Sequence, residues 1–427
     1  MSTNAFYGWK LLGVFWTITF INLAFPAYGS SVLNAAMAAD LGLDRRTLGL
    51  LFSGYMVMSG LPGPVVAMSV NRLGVRVTLV IGSLLLVLGA LLMAFVVHNG
   101  IVAGLVFGLL IGSGVATGAA LASQSGLARW FVRRRALVIA ILYSAGGVGG
   151  FVAAPLLNHV IAMADGNWRA GWLLIAGLSG LAGVLSVAFV RESPADLGQT
   201  PDGEDGAAAG PSGVSRQTPA HITTEEWTYR QALATPALWL MITSLLAVSC
   251  GYTLYLAHGI VHLKDLGHTQ AVAAWSVGTL AVTGLIAKVI IAALGDRFDP
   301  RYLWAAFTAI FGVGLILVVD ARSASELFMF AACLGIGFGG SLVCLMTVLG
   351  NYYGMRVFAS LSGLALAVNT TFSALTPYIG GWLYDSGRGY SGAFYGLAAW
   401  CFLAAVVLFV MRRPLRREFR VAASAVG

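Results

Sequence analysis

Residues 271–294 read AVAAWSVGTLAVTGLIAKVIIAAL, a run that carries a single charge, Lys288. A helix needs ~20 mostly apolar residues to cross the hydrocarbon core of a bilayer, so this run is long enough to span one. A lysine inside the bilayer costs about 2.5–3.5 kcal/mol on insertion scales, and it is normally found facing a partner, a wet cavity or a substrate path. No other basic or acidic side chain stands in the middle of such a run in this chain. A buried cation points to an anion handled there. The competing reading is that Lys288 snorkels to the interface near Gly295, about 10 Å away at ~1.5 Å per residue.

The same pattern recurs along the chain. Apolar windows of span length begin near Trp9, Thr47, Val77, Ile101, Ala136, Gly171, Ala237, Ala271, Leu303, Leu327, Ala359 and Ala393. Period-two alternation of the barrel type is absent, so these are helices. With 58% hydrophobic and 10% charged residues, against roughly a quarter charged in soluble domains, the chain reads as an integral membrane protein of twelve transmembrane helices. The first window runs on through Pro26 and Tyr28 without a small-residue cleavage site, so it is expected to be a retained helix. Cys250, Cys333, Cys344 and Cys401 all fall inside windows without metal-ligand spacing, so neither disulfides nor a metal site is expected.

The net charge of +8 could suggest nucleic acid, but its distribution gives another account. Six Lys/Arg lie in one set of loops, Arg45, Arg46, Arg169, Lys264, Arg322 and Arg388, whereas 18 lie in the loops and ends on the other side. Cytoplasmic loops carry the excess, so both termini are expected in the cytoplasm and the protein in the cell (inner) membrane. Residues 191–235, rich in Gly, Pro, Ser and acids, read as a cytoplasmic linker between a first bundle, 1–190, and a second, 236–411, followed by a basic tail, 412–427. Within the linker, Thr223 and Glu226 are spaced as a capping box for a short amphipathic helix through Leu233, and Thr235-Pro236 reads as the cap of the seventh span.

The bundles repeat each other. Trp130-Phe131 and Tyr352-Tyr353 are 222 residues apart, as are Arg134 and Arg356, and Pro155 and Pro377. Two parallel six-helix halves point to a secondary transporter with its site between them near the midplane.

GLPGPVVAMSVNRLGVR, residues 60–76, resembles the loop signature of the major facilitator superfamily, and the resemblance extends over essentially the whole chain. Tyr7-Gly8-Trp9, RWFVRRRALVIAILYSAGGVGG at 129–150, Gly166-Asn167-Trp168-Arg169 and Arg191-Glu192-Ser193-Pro194 are similar to segments of the monocarboxylate transporter family and its bacterial organic-anion relatives. That family places a substrate-binding arginine on the eighth helix, eight residues before an acid. The resemblance gives this role to Lys288, eight residues before Asp296. It likewise assigns substrate or proton chemistry to His258, nine residues before Gly267. Phe25-Pro26 is followed here by Ala27, where proton-coupled members carry lysine, and the eighth span has no acid. Lysine offers a point charge in place of a two-pronged clamp. Unlike arginine it can exchange its proton, which would link substrate binding and proton uptake at one residue.

Tyr28, Thr117, Tyr143, Tyr255 and Asn369 are further candidates to hydrogen-bond a carboxylate or hydroxyl, against the simpler reading that they pack helices. Asn71, Arg72, Arg76, Arg134, Asp296, Arg297 and Arg356, at the cytoplasmic ends, are candidate gating residues. Gly112, Gly114 and Gly146–Gly150 read as close-packing faces, and no Walker motif indicates ATP. The expectation is a monomeric, cofactor-free carrier in the lipid bilayer that moves a lactate- or pyruvate-like monocarboxylate by alternating access with a proton. A dicarboxylate exchanger and a polyspecific efflux protein are the alternatives.

Overall fold

The computed structural model describes residues 6–131, 134–203, 227–294 and 299–414. Twelve helical spans are found among them. They are α1 (Tyr7–Asp40), α4 (Gly100–Trp130) and α11 (Arg356–Arg388), α5 (Arg135–Met163), α6 (Arg169–Phe189), α7 (Pro236–Asp265), α8 (Gln270–Leu294), α9 (Pro300–Leu317), α10 (Ala324–Tyr353) and α12 (Ser391–Val410), and the pair α2 and α3. The second span starts as Arg45–Gly60 and resumes in Gly63–Phe95, where Gly74, at φ 89°, separates α2 (residues 45–73) from α3 (residues 75–95). Only glycine takes that φ without strain, so the turn is written into the sequence at one position.

Each half is built the same way. In the first, α3 packs against α4 and α6; in the second, α9 packs against α10 and α12. The halves meet along two equivalent seams, α5 with α8 and α2 with α11. α7 is buried on nearly every side. Leu84, Leu88, Phe95, Val184, Val187, Leu403, Val406 and Val410 face outward, as an apolar solvent requires. Glycines set the closest approaches. A Cβ on Gly147 would meet the Leu285 side chain at 2.8 Å, across the α5–α8 seam, and one on Gly114 would meet Leu86 at 2.8 Å.

The repeated aromatic pairs hold the two ends of the linker. Trp130 Nε1 donates to the Arg191 carbonyl at 3.3 Å, while Tyr353 bonds the Thr235 hydroxyl and sets its ring edge-on to Trp227. Thr235 is therefore the N-cap residue of α7 by position but not by hydrogen bond. Its Oγ donates to the Ala232 carbonyl at 2.7 Å, and no helix N–H is capped. The Thr223–Glu226 box lies outside the described residues. A described turn of helix, Tyr229–Leu233, carries a box of its own, Thr228 with Gln231.

Candidate functional site

The faces of the bundle are named here from the chain: the terminal face holds the starts of α1 and α7, and the far face holds the α1–α2, α7–α8 and α11–α12 turns. α1 widens to π geometry over Phe20–Gly29 around Pro26, which turns Ala27 and Tyr28 toward the axis. Facing them is a cavity of about 340 Å³, walled by Tyr28, Tyr55, Met56, Val115, Ala116, Tyr143, Tyr252 and Leu256 among others. Both halves contribute, since Tyr252 and Leu256 come from α7. Tyr28 from the first half and Tyr252 from the second thus line the same cavity. Tyr252 lies flat on Phe338 with centroids 3.8 Å apart, and Tyr55 stacks on Phe107 at 5.0 Å. Gly150 leaves room for the Tyr28 ring, because a Cβ there would stand 2.9 Å from its Cδ2. Tyr143 donates from its hydroxyl to Gln124 Oε1 at 2.7 Å. The cavity therefore has an apolar wall that includes four tyrosines, two of them, Tyr55 and Tyr252, on stacked rings.

Lys288 is half-buried and makes no ion pair among the described residues. It is outside the set that walls the tyrosine cavity. It stands two turns beyond Ala281 and one beyond Leu285, the residues that meet Gly150 and Gly147 on α5. That register puts it on the α5–α8 seam, toward the terminal face.

The other candidates are spread through the bundle. His258 is fully buried. Its Nε2 lies 2.8 Å from the Pro377 carbonyl, which can only accept, so Nε2 carries the proton and Nδ1 accepts from the Tyr390 hydroxyl at 3.0 Å. Both ring nitrogens are thus used, one by α11 and the other by Tyr390 at the start of α12. Tyr255, also fully buried, bonds the Ser276 hydroxyl beside Phe330. Thr117 donates to the Ser113 carbonyl of its own helix at 2.8 Å. Asn369 is half-buried with its Oδ1 unpartnered.

On the terminal face, Arg76 donates from Nε to the Val190 carbonyl, and Glu192 takes the backbone N–H groups of Val75 and Arg76, each at 2.9 Å, together with Arg129 Nη1 at 3.0 Å. Glu192 thus caps α3 within the first half. Asn71 and Arg72 are exposed. Arg134 lies over the Trp9 ring at 5.8 Å, and Arg356 is a partnered residue. Asp296 and Arg297 fall outside the described residues. On the far face the halves are closed on each other: Arg45 Nη2 bonds both oxygens of Asp265 at 2.9 and 3.0 Å, and Arg46 bonds the Tyr378 hydroxyl. Asp44 caps the same helix. The Thr47 hydrogen bond holds its carboxyl below the ordinary aspartate value.

A family model described as Major Facilitator Superfamily matches residues 12–269 and 259–425. The chain belongs to the major facilitator superfamily. Among its relatives in that superfamily is monocarboxylate transporter 13 of Rattus norvegicus, 27% identical over 351 residues, which are 80% of this chain and 74% of that one. Bovine monocarboxylate transporter 13 is 28% identical over 67% of this chain and 62% of its own length. Rat monocarboxylate transporter 4 is 24% identical over 95% of this chain and 83% of its own. Two solved superfamily structures share the fold: a D-xylose-proton symporter, with a TM-score of 0.70 at 15% identity over 95% of this chain and 97% of that one, and a bacterial homologue of the lysosomal transporter Spinster, with a TM-score of 0.69 at 16% identity over 95% and 96%. This member of the superfamily is a multi-pass membrane transporter and not an enzyme.

The sequence did not single out Tyr55, Tyr252, Glu192 or Asp265. Glu192 alone carried a signal, as the acid beside Arg191 at the end of the first half.

Proposed function

We propose that this protein moves a small organic monocarboxylate, lactate- or pyruvate-like, across the inner membrane by alternating access, with Lys288 as the cation that holds the carboxylate. The observation that carries the reading is a half-buried lysine without an ion pair among the described residues, on a seam between the halves of a transporter fold. An unpaired cation in a low-dielectric site is stabilised by an anion and suits one carboxylate better than two. The tyrosine cavity supplies the complementary part. Tyr28, Tyr55 and Tyr252 offer hydroxyl groups to a carboxylate or an α-hydroxyl, and Tyr143 would join them by turning its proton from Gln124 to the substrate. The named monocarboxylate transporters among the relatives support the same substrate class.

Proton coupling is proposed to run through Lys288, because α8 has no acid to serve as proton carrier. The excess of arginine on the terminal face supports placing both termini in the cytoplasm; a monomer is proposed as the working unit. Thermal stabilisation of the detergent-solubilised protein by lactate or pyruvate tests the binding half. The native protein is expected to gain stability with increasing ligand and Lys288→Ala to gain none; equal gains in both would remove Lys288 from the site.

A further inference from the structure

We infer that Asp385 is a positioning residue for alternating access: its carboxylate caps the amino terminus of α2 from the opposite half and, with Asp265, latches the far face shut. The first N–H groups of a helix have no partner inside it. In α2, Asp44 satisfies Thr47 N–H at 2.8 Å, which leaves Arg45 and Arg46. Both are taken by Asp385 in α11, Arg46 N–H donating to Oδ2 at 2.8 Å and Arg45 N–H to Oδ1 at 3.3 Å. A carboxylate at that end also meets the positive pole of the helix. The cap comes from 340 residues away in sequence and from the other half, so it exists only while the far face is closed.

The side chains of the same two arginines extend the latch. Arg45 bonds Asp265, which also accepts from the Tyr384 hydroxyl at 3.1 Å, and Arg46 Nε donates to Tyr378 at 2.9 Å. Each guanidinium lies over the ring on its side, Arg45 over Tyr384 at 5.1 Å and Arg46 over Tyr378 at 5.2 Å. Gly381 makes the docking possible, since a Cβ there would overlap the Arg45 carbonyl and stand 2.7 Å from Arg46 Cα. When α2 and α11 part, cap and ion pair are lost together. Asp265 is 35% exposed, so water takes over its charge and the latch reopens at modest cost.

The inference rests on the two-state transport of the superfamily, not on the substrate proposed above. The test is the distance distribution between spin labels at His98→Cys and Arg388→Cys, both exposed on the far face, in bilayer discs with Cys333 replaced by serine. Asp385→Ala is expected to raise the long-distance population about five-fold, the worth of one helix cap. Asp385→Ala with Asp265→Asn should raise it further, to about ten-fold, and Asp385→Glu should restore most of the parent distribution. Asp265→Asn alone leaves the cap intact and should give an intermediate shift, which keeps the test open if the alanine variant fails to fold. Distributions of Asp265→Asn and of any folded Asp385 variant that superimpose on the parent would overturn the latch.

Discussion

Gly49→Ala should act as a wedge that works in one conformation only. Gly49 lies on α2 against the carbonyl of Pro377 in α11, and a Cβ there would overlap that oxygen, stand 2.6 Å from the carbonyl carbon and 3.0 Å from His258 Nε2. None of these atoms can swing aside. The carbonyl is backbone held by the His258 hydrogen bond, and His258 is pinned through Nδ1 by Tyr390. Overpacking of this kind costs about 1–3 kcal/mol. Opening of the far face separates α2 from α11, so the cost falls on the closed state alone and shifts the equilibrium about 5–150-fold toward far-open. Labelling of a cysteine placed at Asn34, fully buried in α1, by an impermeant maleimide added from the far side would report it. The Gly49→Ala background should label at least about five times faster. Equal labelling, with unchanged transport, would refute the claim that this contact closes the gate.

Four further outcomes follow from the same contacts. Tyr28→Phe or Tyr252→Phe removes one phenol from the cavity wall and should raise KM about five-fold, the worth of one substrate hydrogen bond of ~1 kcal/mol, with little change in Tm; an unchanged KM would take that phenol out of the site. Glu192→Ala uncaps α3 and frees Arg129, which at this half-exposed position should lower Tm by about 2–4 °C. The Asp44 carboxyl is held below its ordinary value by Thr47, so its contribution is fully present above the unfolded pKa, about 3.9, and is lost as pH falls through the lower folded value. The Tm difference between native and Asp44→Ala should therefore stay level from pH 8 to 5 and shrink only in stronger acid. Lys288→Arg should keep carboxylate flux down its own gradient while losing acceleration by a proton gradient, since arginine does not release its proton; full coupling in that variant would move the proton elsewhere.

The span count was readable because hydropathy is a local signal, and the paired halves because like residues recur at one spacing, whereas the turn at Gly74 was not read, since a glycine in a helical stretch is ordinary until its φ is known. Lys288 stood out as a lone charge in an apolar run. Tyr55 and Tyr252 did not, because one tyrosine in an apolar helix looks like filler until the opposing helix is in place. His258 was visible, but its partners were not. Pro377 withholds the N–H that would have bonded the Ser373 carbonyl, leaving that oxygen to Thr253 Oγ1 at 3.0 Å, while its own carbonyl takes His258. Arg45 and Arg46 read only as loop charge, since the acids that meet them lie 220 and 340 residues away.

The central claim is tested most directly by uptake of labelled lactate and pyruvate into proteoliposomes, with and without an inward proton gradient, for the native protein and Lys288→Ala. Saturable uptake that the gradient accelerates and the alanine variant loses is the predicted result. Native-level uptake by Lys288→Ala, or no flux of either acid through the native protein, would contradict it.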